Sequence, residues 1–107
     1  MKPTKGQKKE FWERCGIQYT NHQGQEGWVR PDIDFAFSSP PPITLDNLFK
    51  YAIPEIIKRD YEPNIYYWWS EELWQVDLLH FSTEKFISKK DTELVDALYW
   101  AIWEVLK

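Results

Sequence analysis

The chain has 107 residues, 43% hydrophobic, 18% aromatic and 28% charged, with seven Trp and a formal net charge of −4. That is the composition of one globular domain with a single modest core, and it excludes a disordered chain. The acidic balance argues against general nucleic-acid binding, no apolar run reaches the roughly 20 residues of a membrane span, and the lone Cys15 cannot form an internal disulfide.

The N-terminus carries Lys2, Lys5, Lys8 and Lys9 against Glu10. It lacks the apolar stretch of a signal peptide, so the expected setting is the reducing cytoplasm. Residues 1–6 read as a flexible basic tail, in preference to a phosphate-binding arm. A short helix is expected over 6–15, with Phe11 and Cys15 four residues apart and Gly16 as its terminator. Residues 20–27 read as a loop or turn. A short strand around Trp28 ends before Pro31, which has no amide hydrogen to give to a sheet. The "SSPPP" of 38–42 is a stiff connector.

Thr44 is a good N-cap and Asp46 suits the first turn, so a helix is expected over 45–59. Leu45, Leu48, Phe49, Ala52 and Ile56 make its apolar stripe. Pro54 lies inside that stripe and predicts a kink or break near 50–54.

Next comes "NIYYWWSEELWQVDLL", residues 64–79. Two runs of strand formers flank "SEE", which predicts a hairpin. With a loop over 70–73, Trp69 faces Trp74, Tyr67 faces Val76 and Ile65 faces Leu78, all on one buried face. Tyr66, Trp68, Gln75, Asp77 and Leu79 share the other, half aromatic and half polar.

The chain closes on "DTELVDALYWAIWEVLK". Asp91 or Thr92 is the expected cap of a helix running to about 106. Leu94, Leu98, Ala101, Ile102 and Val105 form its apolar stripe. Trp100 and Trp103 then fall on the opposite side, near Asp96. Either the first helix covers them with Phe11 and Trp12, or they form a surface for self-association or for another protein.

The elements define an α+β fold: an antiparallel sheet of about three strands, two main helices and a short N-terminal helix. Three signposts accompany that order: "GWVRP", the capped "TLDNLFKYAIPEII", and the strand "LWQV" before "LVDALYWAIWEVL". In this the chain resembles a group of small phage and prophage proteins, the phage ABA-sandwich domain, over most of residues 10–106. It departs from that group at Pro54 and in carrying Trp in the closing helix. The resemblance implies a two- or three-layer α/β domain and no enzymatic activity.

Few residues suggest chemistry. Asp32 and Asp34 in "RPDIDF" are the only pair suited to a metal-dependent nuclease, and the acid-x-lysine strand such a site needs is missing. His22, His80 and Cys15 have no partner at metal-ligand spacing, and no phosphate loop is present. The expected function is therefore non-enzymatic: a cofactor-free, phage- or prophage-related protein acting by protein contact or self-association. Trp100, Trp103, Tyr66 and Trp68 are the interaction candidates. The alternative is a small nuclease using Asp32 and Asp34.

Overall fold

The structure, a computed structural model, describes residues 2–22, 25–29, 36–37 and 41–107. Helix α1 (Lys5–Arg14) is delimited by its sequence at both ends. Thr4 and Gln7 form a reciprocal capping box: the Gln7 N–H donates to Thr4 Oγ1, and the Thr4 N–H donates to Gln7 Oε1. At the other end Gly16 adopts φ +92°. The Gly16 N–H then reaches the Glu13 carbonyl at 3.0 Å and the Ile17 N–H reaches that of Trp12 at 2.9 Å. This paired closure requires a residue tolerant of the left-handed region.

A first sheet follows, in the order β1-β2-β3, from β1 (Gln18–His22), β2 (Gln25–Val29) and β3 (Ala36–Phe37). The segment expected as a loop or turn over 20–27 thus largely belongs to two paired strands. Trp28 on β2 joins the core.

The helix expected over 45–59 is present but not uniform. It runs as α2 (Leu45–Asn47), a π-helical turn Leu48–Ala52 and α3 (Ile53–Lys58). The Ile53 N–H bonds the Leu48 carbonyl, five residues back rather than four. Pro54, with no N–H of its own, sits in the first turn of α3, where a missing donor costs least. The interruption predicted from Pro54 therefore takes the form of a widened turn just upstream of it.

The main sheet has the order β4-β5-β6: β4 (Tyr61–Trp68), β5 (Leu73–His80) and β6 (Phe86–Asp91), all antiparallel. The hairpin register corrects the expected one by two residues. Tyr67 pairs with Trp74, Ile65 with Val76 and Trp68 with Leu73, so the loop is 69–72. Because the shift is even, every strand residue keeps its expected face. Trp69 is the exception: it leaves the strand and stands 85% exposed in the turn. The turn needs a residue in the left-handed region at its end, and Glu72 takes it (φ 53°). The expected loop would have put Leu73 there, a bulkier apolar residue.

Helix α4 (Leu94–Leu106) covers β5 and β6 on one face of this sheet, where Val76 and Leu78 are fully buried. Neither Asp91 nor Thr92 is its N-cap. Strand β6 continues through Asp91, and the Asp91 carboxylate accepts the Glu93 N–H at 3.0 Å, one residue before the helix. The ion pair Lys89–Glu104 (3.7 Å) ties β6 to the helix.

The far side of α4 is buried as well, by α1. Phe11 lies 4.5 Å from the Tyr99 ring, and the Tyr99 hydroxyl donates to the Gln7 carbonyl. Within the segment read as a basic tail, Lys2 and Pro3 belong to this layer. Lys2 donates to Glu93 and, at 3.2 Å, to the buried Asp96, and Pro3 is buried. On this side of β4–β6, α4 packs on β5 and β6, α3 packs on β4 and α4, and α1 lies against α4.

Candidate functional site: the open face of the main sheet

No helix or strand among the described residues packs on the second face of β4–β6. In register across the three strands it reads Glu62, Leu79, Phe86; then Asn64, Asp77, Ser88; then Tyr66, Gln75, Lys90; then Trp68 and Leu73. Tyr66 (47%), Trp68 (44%) and Phe86 (59%) remain exposed there, together with Leu79. Alternation along each strand puts them there, because the partner residues on the other face are those that α4 needs.

A chain of hydrogen bonds crosses this face. Trp68 Nε1 donates to Gln75 Oε1 at 2.7 Å. Indole nitrogen can only donate, so the Gln75 amide must turn its oxygen to the indole and its nitrogen away. That nitrogen donates to Asp77 Oδ1 at 2.8 Å, and Ser88 Oγ donates to the same oxygen at 2.7 Å. Lys90 lies 5.7 Å from the Trp68 ring centroid and 3.7 Å from Glu71. The Trp68 indole is held from two sides, by Gln75 and by Lys90.

Of the four interaction candidates, the fold brings Tyr66 and Trp68 together on this face and puts Trp100 and Trp103 elsewhere. The latter two are half-buried against the core. Trp103 stacks on Tyr99 (6.5 Å between centroids, 6° between planes) with the Arg14 guanidinium 5.8 Å above it. Trp100 meets the Tyr99 ring edge-on at 4.9 Å. Helix α1 reaches α4 through Phe11 and Arg14, while Trp12 turns toward Tyr51 and donates its indole N–H to the Pro41 carbonyl.

Asp32 and Asp34 lie outside the described residues. His22 lies on β1. Cys15 is buried in the core. His80 Nδ1 accepts the Thr83 N–H at 3.1 Å and shapes the β5–β6 turn. Among the described residues, no group of three or more His, Cys, Asp or Glu is placed to hold a metal ion. No buried side-chain nitrogen or oxygen among them lacks a hydrogen bond.

Phe86, Ser88 and Lys90 were not singled out in the sequence. Their alternation in "FISKKD" is the signal that places them on one face. The two lysines and the aspartate obscure it, because charged residues are poor strand formers yet common on edge strands.

Comparisons with protein-family models, with curated proteins and with solved structures find no match to this chain. Among the described residues no helix is long and apolar enough to cross a membrane.

Proposed function

We propose that this chain is a non-enzymatic interaction protein that docks another polypeptide on the open face of β4–β6. One observation carries the reading: Tyr66, Trp68, Leu79 and Phe86 stay exposed on one face of a sheet whose other face packs against α4 through the fully buried Val76 and Leu78 of its middle strand. Leaving these side chains in water forgoes the transfer free energy that burial would return, about 25 cal/mol per Å². The surroundings are Asn, Gln, Ser and Asp rather than Lys and Arg. Aromatic residues among small polar ones suit a partly wet protein interface. Phosphate backbones would meet Glu62, Asp77 and Glu71 with only Lys90 to offset them. Ser88 donates directly to a carboxylate with no imidazole between them, an arrangement that supports recognition rather than nucleophilic catalysis. A reducing cytoplasm suits the buried lone thiol of Cys15. The phage and prophage relationship rests on the order of the sequence signposts.

Photo-crosslinking from within cells tests this. A crosslinking amino acid replaces Tyr66 on the open face, and in a control it replaces Glu13 on α1. The reading expects a discrete adduct from position 66, absent at 13, whose partner binds the purified protein and loses affinity for Trp68→Ala. Adducts equal at both positions, or none at 66, contradict it.

A further inference from the structure

The open face has a charged centre with no counter-ion among the described residues. Asp77 sits in the middle strand, flanked by Asn64 and Ser88, with Gln75 and Leu79 two residues away on its own strand. Tyr66 and Phe86 occupy two of its diagonal positions, at a separation of about 7 Å in an antiparallel sheet. Both internal donors, Gln75 Nε2 and Ser88 Oγ, engage the same oxygen, Oδ1. The second oxygen is left over. The nearest cation of this face, Lys90, goes instead to Glu71 and the Trp68 ring, and no described Lys or Arg pairs with Asp77.

A half-buried carboxylate amid aromatic rings favours one kind of visitor. A cation there gains an ion pair and a ring contact at once, whereas an anion meets Asp77, Glu62 and Glu71 together. Guanidinium fits better than ammonium. It is planar, so it can lie against Tyr66 or Trp68 while its edge donates to Asp77 Oδ2, and it sheds water more readily. The chain already places a cation of its own on the Trp68 ring. Resting on the docking surface proposed above, we infer that Asp77, with Tyr66 and Trp68, receives an arginine side chain of the partner polypeptide.

The probe is the peptide acetyl-Gly-Arg-Gly-amide, titrated into the ¹⁵N-labelled full chain and followed by NMR at Trp68 Nε1, Gln75 Nε2 and the Ser88 amide. Saturable shifts confined to this face are expected. The same peptide with citrulline, which keeps the shape and loses the charge, should produce none. Asp77→Asn retains an acceptor for Gln75 and Ser88, so an unmoved Trp68 Nε1 signal in the free variant reports an intact face, and binding should weaken about fivefold or more. The inference is overturned by the absence of shifts at these signals, by equal shifts with citrulline, or by unchanged binding to Asp77→Asn. It is also overturned if sedimentation shows a dimer that Trp68→Ala dissolves, for the face would then be occupied by a second copy. If the peptide fails while crosslinking from position 66 still captures a partner, the arginine assignment falls and the docking surface stands.

Discussion

Tyr99 sits where α1, α4 and the flanking indoles meet, fully buried with its hydroxyl on the Gln7 carbonyl at 3.1 Å. Burial disfavours the phenolate, and Glu10 and Cys15 add to the effect, so the hydroxyl is pushed from 10.0 up to about 12. The unfolded chain therefore releases this proton first. Between pH 10 and 12 the unfolded state holds fewer protons than the native one, and stability must fall as pH rises through that window, by roughly 2 kcal/mol. Tyr99→Phe removes the effect. At about pH 9 it should cost about 1 kcal/mol, the value of a buried hydrogen bond, and this deficit relative to the parent should close as pH rises past 10 and reverse, to an advantage of about 1 kcal/mol, by pH 12. Urea midpoints measured across that range check both statements. A second residue, Gly16, acts through backbone alone. Its φ is +92°, and a Cβ there would meet nothing within 4 Å. Gly16→Ala should thus cost about 1–2 kcal/mol purely from the left-handed conformation, with Gly16→Asn milder.

Elements show how far local pattern reaches. Alternation in 64–79 predicts which hairpin side chains share a face, because that depends only on parity. The register was not legible, since it turns on Glu72 accepting a positive φ and on the indole of Trp68 finding Gln75. Strand β6 was missed because Lys89, Lys90 and Asp91 look like loop residues until Lys89 is seen pairing with Glu104. Helix periodicity located the apolar stripe of α4 but not its second buried side, which exists because α1 and Lys2 close over it. That closure has a pH signature. Lys2 donates to Glu93 and Asp96, which raises its own pKa above 10.5; Glu93 is lowered below 4.5, chiefly by this hydrogen bond, while burial raises Asp96. The Lys2 contribution is present below its unfolded pKa and is lost as pH climbs past 10.5. That of Glu93 is present above 4.5 and is lost as pH falls through its lower folded value. Lys2→Met should accordingly be less stable than the parent near neutral pH, with the gap closing at both extremes and in high salt. A gap independent of pH would show that Lys2 acts through packing alone.

At the scale of the whole molecule, the α+β fold buries some of its aromatic residues and leaves others exposed. Phe11, Trp12, Trp28, Tyr51, Tyr61 and Tyr99 build the core on the helix side of the sheet. Tyr66, Trp68 and Phe86 lie on the far face, outside it. Composition alone shows an excess of Trp; only the pairing of β4, β5 and β6 separates the indoles that hold the fold from the exposed Trp68. The two faces of one sheet should therefore respond differently to substitution. The most direct test is the affinity of the crosslinked partner, once purified, for Trp68→Ala/Phe86→Ala, read beside the variant's urea midpoint. Loss of at least about 2 kcal/mol of binding, as for interface hot spots, with a midpoint close to that of the parent, is the predicted result. Undiminished binding by a variant that remains folded would contradict the assignment of this face as the docking surface.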